Sequence, residues 1–161
     1  MLGIVIHSEK IKESDVRIKL LCADGLKNFT LVGAQKPTAK LKVAGQLFCL
    51  AEYQSIGHKI AGAHVLETHH GIVKDIKRYY LACAICEVVS RLQVFTQQIF
   101  NLTLAAFKAL SDGASPREIY TEYFVALLRE LGFDIEKGQD INTAFVACLD
   151  IKIPHTREFL S

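Results

Sequence analysis

Lys36, Lys40 and Lys42 stand two to four residues apart in the segment VGAQKPTAKLKVAG, Val32 to Gly45. Lys27 adds a fourth cation, and no acid occurs from Gly25 to Ala51. Ammonium groups at that spacing can meet successive phosphates of a nucleic-acid strand, each neutralised phosphate releasing condensed counterion. The same composition suits a solvated loop whose lysines serve solubility. Arg17 and Lys19, just upstream, would extend a basic groove. Phe29 and Phe48 are candidate stacking residues, although alternation assigns at least one of them to the core.

Other constellations carry less chemistry. Cys83-x-x-Cys86 has the spacing of half a zinc site or a redox pair, but no second CxxC follows. The pair falls mid-helix on an apolar stripe, which suits two packed core thiols. His69-His70 stands at a predicted strand-to-helix junction, an ordinary place for a polar pair. There is no G-x-S-x-G, P-loop or H-E-x-x-H. The expectation is a protein without catalytic residues, cofactor or metal. Phe95, Phe100, Phe107, Tyr120, Tyr123 and Phe124 are mostly core candidates. Any exposed remainder near Arg117 or Arg129 would form an apolar pocket with a cationic rim, suited to a short acidic peptide ending in an aromatic.

The chain has 161 residues, half of them apolar, enough for one domain or two small ones. Net charge is +2 but uneven. Residues 1–75 hold ten Lys/Arg against seven Asp/Glu, and residues 76–161 nine against ten. Five cysteines, mostly in apolar runs, fit reduced thiols of a cytoplasmic protein. Lys10 and Lys12 come too late for a secretory n-region, and the uncharged run Leu92 to Phe107 is too short to span a bilayer.

These side chains need a scaffold. The fold class expected is α+β, a five-stranded OB-type barrel over residues 1–71 followed by a helical domain over 72–161. SDVRIKLLCA places Val16, Ile18 and Leu20 on one face and Arg17 and Lys19 on the other. Asp24-Gly25 predicts a type I′ hairpin into LKNFTLVG. Pro37 should keep the lysine segment out of a central strand. QLFCLAEYQ and HKIAGAHVLETH supply two more strands, turning near Gly57. The first helix is expected to carry a stripe of Ile72, Ile76, Tyr79, Cys83, Cys86 and Val89. The second, about Val94 to Leu110, should lie at the centre of a bundle. Ser115, Pro116, Glu118 and Gly132 predict the start, capping box and stop of a third. INTAFVACLDIKI reads mostly as helix, with strand character at its end.

With these features in place, ESDVRIKLLCADGLKNFTLVGAQKPTAKL resembles the N-terminal domain of the bacterial recombination mediator RecO. The resemblance rests on Glu13, Ser14, Asp15 and Arg17, then Gly25, then Gly33, Ala34, Lys36 and Pro37, with Lys40 beyond. FVALLRELGF, Phe124 to Phe133, resembles the family's helix ending in Leu-Leu-x-x-Leu-Gly-[FY]. The resemblance implies binding of single- and double-stranded DNA, strand annealing, and loading of RecA with a RecR-like partner in DNA repair. It also implies docking on the C-terminal tail of the single-strand-binding protein SSB. Many members carry two CxxC pairs after that helix, whereas only Cys148 occurs here, which excludes a zinc ribbon. A reading of another class is an interaction adaptor that binds a partner peptide through its helices and has little DNA affinity.

Overall fold

The computed structural model describes residues 1–36 and 39–161. The expectation for Pro37 lies outside these residues. The chain divides into two compact units, Met1–His69 and His70–Ser161.

In the first unit, β1 (Leu2–Ile11), β2 (Asp15–Cys22), β3 (Gly25–Leu31), β4 (Leu50–Ile56) and β5 (Lys59–Glu67) close a barrel in the order β1-β2-β3-β5-β4. That is the OB arrangement expected. All pairings are antiparallel except the one closing β3 on β5, Thr30 against Lys59. A register shift between Val5 and His7 kinks β1, whose first residues pair with β4 and whose length pairs with β2. Val16, Ile18 and Leu20 point into the core and Arg17 outward, so alternation holds until Leu21 and Cys22, both buried.

The β2–β3 turn departs from expectation. Cys22 pairs with Gly25, which leaves Ala23 and Asp24 at the centre, and neither has a positive φ. A type I′ turn needs positive φ at both, which alanine resists because of its Cβ. Gly25 takes the unusual backbone instead, at φ +141°.

The second unit opens with a 3₁₀ turn, His70–Lys74, then α1 (Ile76–Ser90), α2 (Gln97–Ser111), α3 (Pro116–Glu130), α4 (Ile141–Leu149) and α5 (Thr156–Leu160). Side chains of Asp75, Thr96 and Asp140 accept amide hydrogens at the starts of α1, α2 and α4. Ser115 holds the N-cap position of α3, but its hydroxyl makes no cap hydrogen bond, so the expected capping box is not formed. The stop is as expected. Gly132 has φ +94°, and Phe133 N–H donates to the Leu128 carbonyl at 2.9 Å, a Schellman closure.

Two helix expectations are corrected. The stripe predicted for α1 is not its buried face: Ile76 and Tyr79 are exposed and Cys83 is half-buried. The residues from Leu81 to Val89 are buried nearly all round, Cys83 and Glu87 excepted. Asp75 starts the helix after the 3₁₀ turn, so Ile72 is out of phase with it, and the apolar LACAICEVV has no single face to choose. α1, which packs against α2, α3 and α5, is therefore the enclosed helix. α2 instead shows Gln97, Gln98, Asn101 and Lys108 to solvent and buries Ile99, Phe100, Ala106, Phe107 and Leu110.

An aromatic chain ties the unit together: Tyr123 to Phe124, Phe124 to Phe145, and Tyr120 to Phe159, with centroids 5.1 to 5.5 Å apart. Buried Thr103 is satisfied by the Ile99 carbonyl and the Tyr123 hydroxyl. After α4, Asp150 adopts φ +54°, and Ile151 and Ile153 are buried outside any helix or strand. Among the described residues, no helix is long and apolar enough to cross a membrane.

Candidate nucleic-acid interface

The lysine segment is latched to the barrel at both ends. At its start, Gly33 adopts φ +71°, and its N–H donates to the Asp15 carboxylate at 2.9 Å. Gln35 then fills the acceptors of the β1–β2 turn. Its amide side chain donates to the carbonyls of Ile11 at 3.2 Å and Asp15 at 2.6 Å, and its N–H to that of Ser14 at 3.0 Å. At its end, the 3₁₀ turn Val43–Gly45 is held by Tyr53, whose hydroxyl donates to the Ala44 carbonyl at 2.6 Å. Ser8 donates to the Gly45 carbonyl at 2.7 Å. Ala34, Ala44 and Gly45 are buried and Leu41 packs on the core. The small residues flanking the lysines are therefore buried, while Lys36, Lys40 and Lys42 are exposed.

Barrel geometry sorts the other cations. The lysine segment begins at the end of β3, and the β1–β2 and β4–β5 turns share that end of the barrel. Lys12 lies in the first of these turns and Lys59 beside the second, both exposed. Lys10 lies on the same face of β1 as Ser8, toward the segment, and is also exposed. Arg17, opposite Thr30, is near this end, and Lys19, opposite Asn28, is further along. Lys27 is set apart. It is about 10 Å along β3 from Thr30, opposite the inward residue Leu20, and ion-paired with Asp24 at 3.2 Å. The segment, Arg17 and Lys59 thus gather, and Lys27 does not join them. Phe29, opposite the inward residue Ile18, packs on the core, and Phe48 is buried. Phe48 is therefore a core residue, and Phe29 is half-buried.

In the helical unit, Arg117 and Arg129 do not frame one pocket. They are about 18 Å apart along α3. Arg117 donates to the Leu160 carbonyl, and Arg129 faces Asp134 at 3.8 Å. A different cleft has the expected character. Leu92, Val94, Leu131, Phe133, Leu149 and Ile151 line about 200 Å³, with exposed Arg91 beside them. Arg91 also lines a neighbouring polar hollow with Lys152 and Arg157. Burial pushes the Cys83 and Cys86 thiols up, away from the reactive thiolate. Among the described residues no group of His, Cys, Asp and Glu is placed to hold a metal.

Residues 1–67 match the family described as Recombination protein O N terminal, and residues 73–144 match Recombination protein O C terminal. The chain belongs to the RecO family. It is 22% identical over 141 residues to the DNA repair protein RecO of Leuconostoc mesenteroides subsp. mesenteroides. That match takes in 81% of this chain and 54% of the relative, so the chain spans about half the length of the curated RecO it matches.

The RecO-like motif acquires a physical meaning from the latch. Asp15 and Gly33 are joined by a hydrogen bond across 18 residues, and Gln35 seals the same turn. Gln35, Ser8 and Tyr53 were not singled out by sequence reasoning, because their partners lie 20 to 37 residues away or are backbone carbonyls. Lys10, Lys12 and Lys59 would emerge from charge counting only once strand order is known.

Burial also pushes the Tyr53 phenol far above its ordinary range. The folded state thus resists ionisation. The stability this contributes is full below the ordinary tyrosine pKa of about 10 and falls as pH rises beyond it. Tyr53→Phe should cost about 1–2 kcal/mol at neutral pH by leaving the Ala44 carbonyl without its donor. It should also flatten the alkaline loss. Urea unfolding of both proteins at pH 8 and pH 11 checks this; parallel losses would exclude Tyr53 as the alkaline trigger.

Proposed function

We propose that the chain acts in DNA repair and recombination as a non-enzymatic DNA-binding mediator. The lysine end of the barrel takes the phosphates of single- and double-stranded DNA. The observation behind this reading is the latched segment, which holds Lys36, Lys40 and Lys42 outward beside Lys59 and Arg17. Family resemblance extends the proposal to strand annealing and to RecA loading with a RecR-like partner. The test is fluorescence anisotropy of a labelled single-stranded oligonucleotide at two salt concentrations. Binding that weakens steeply with salt is expected; absence of binding at low salt rejects the reading.

A protein contact is favoured by the Arg91 cleft, where apolar lining adjoins three cations, Arg91, Lys152 and Arg157, and one acid, Glu158. We infer that an acidic tail ending in an aromatic, such as that of SSB, docks there rather than along Arg117 and Arg129. Arg91→Glu should weaken binding of such a labelled peptide at least about tenfold by reversing one charge of the pair. If Arg117→Ala or Arg129→Ala weakens it and Arg91→Glu does not, the tail belongs on α3.

A further inference from the structure

The polar hollow beside the Arg91 cleft contains one group whose charge changes near neutral pH. Arg91, Lys152, His155, Arg157 and Glu158 line about 410 Å³ there. Histidine is the side chain that ordinarily gains or loses its charge between pH 5 and 8. His155 is tied to α1 twice. Its Nε2 lies 3.0 Å from Glu87 Oε1, and its ring centroid lies 5.5 Å from that of Tyr80. Its backbone is held at φ +62°, the left-handed region that a residue with a Cβ avoids. Such backbone persists where the surroundings over-determine it, and it gathers at switch regions. The other contacts to α5 fall further along it: Tyr120 on Phe159, Arg117 on the Leu160 carbonyl and Lys77 on the Ser161 carbonyl.

The charge of the hollow turns on this one proton. With a neutral imidazole, the cations Arg91, Lys152 and Arg157 stand against the acids Glu158 and Glu87, a net charge of +1. Protonation doubles it. The imidazolium also neutralises Glu87 at contact distance, the anion that would otherwise repel an acidic ligand. The Tyr80 ring beside it accommodates a cation. Every one of these effects favours an anionic peptide at lower pH. The carboxylates of such a peptide ordinarily titrate near pH 4, so its own charge is constant above pH 6.

We propose that His155 is a pH switch on the acidic-peptide site, its protonation tightening the hold of Arg91, Lys152 and Arg157 on the ligand as pH falls from 8 to 6. The proposal rests on the docking reading above and adds regulation to it.

The test uses the full chain and a peptide of acidic residues ending in phenylalanine, carrying a fluorophore that does not titrate in this range. Anisotropy titrations run from pH 6 to pH 8 at constant ionic strength, with circular dichroism as the folding control. The wild type is expected to bind about threefold more tightly at pH 6 than at pH 8, the scale of one partly exposed charge pair. His155→Asn keeps a residue tolerant of the left-handed backbone and removes the proton site, so its affinity should be flat with pH. Glu87→Gln, at an exposed position, removes the anion that favours the proton. Its tightening should therefore move to lower pH, which the loss of a merely structural contact would not produce. Wild-type binding that is indifferent to pH overturns the switch while the docking reading stands. Tightening that survives in His155→Asn assigns it to another group, His70 being the other histidine of this unit, and also overturns the switch. A wild type that binds no peptide at either pH rejects both readings.

Discussion

Replacing Lys36, Lys40 and Lys42 together by alanine is expected to weaken single-stranded DNA binding about 100-fold at 0.1 M salt. Each phosphate neutralised on a single strand contributes about 0.7 to the salt slope, so three contacts contribute about 2. At 0.1 M that slope is two powers of ten in affinity. The size of the effect depends on the latch. Because Asp15, Gln35, Tyr53 and Ser8 hold the segment through groups other than the lysine side chains, the triple variant keeps its backbone course. Anisotropy titrations at several salt concentrations, with a thermal melt as the folding control, give the answer. A variant with the wild-type slope would mean that the three lysines are ordinary solvated surface. Lys27→Ala serves as the internal contrast. It stands away from the segment beside Asp24 and should change the slope little.

Gly71→Ala is expected to destabilise the helical unit by about 3 kcal/mol or more. A Cβ on Gly71 would sit 1.9 Å from the Ser111 carbonyl oxygen and 2.7 Å from its carbon. Both are backbone atoms at the end of α2, so relief requires moving the helix or the 3₁₀ turn. The shift would also strain the bond from Gly71 N–H to the Ser111 hydroxyl, now 3.1 Å. For a unit of this size the thermal midpoint should fall by about 12 °C or more. Gly62→Ala is the control, since its Cβ would meet only the end of the flexible Gln54 side chain, at 3.2 Å. Melting followed by circular dichroism distinguishes them, and a Gly71→Ala midpoint within 2 °C of wild type, roughly the effect of a neutral surface change, would mean the turn can yield.

What was legible in the sequence was what local rules encode. The alternation of Val16, Arg17, Ile18 and Lys19 marked a half-buried strand, and Pro116 and Gly132 bounded α3. The OB-type barrel and the helices after it were expected and are present. Misreadings occurred where the pattern lacked contrast. LACAICEVV is apolar on most sides, Glu87 excepted, so its period named a stripe that the enclosed α1 does not use. Alanine at the centre of the β2–β3 turn overrode the Asp-Gly signal. The candidate site was half readable. The three lysines announced themselves by local composition, but Lys59 is brought to their end of the barrel only through the parallel bridge to Thr30. Such long-range register leaves no periodic trace. An apolar pocket near Arg117 or Arg129 was expected; the cleft lined by Leu131 and Phe133 has Arg91 at its edge as well, because chain reversal brings Leu149 and Ile151 beside Val94.

The enclosure of α1 has a consequence for the order in which the protein is made. Most of its last two turns is apolar, and part of its cover is α5, where His155 meets Glu87 at 3.0 Å and stacks near Tyr80. Residues 91–155, 65 in all, separate the two helices. At a synthesis rate of roughly 5–20 residues per second, α1 waits several seconds outside the ribosome before α5 emerges to cover it. The barrel, by contrast, has its whole sequence available before α1 appears. A nascent chain stalled after α2 should therefore present a finished barrel and a sticky helix, which makes α1 the segment for which chaperones compete during biosynthesis.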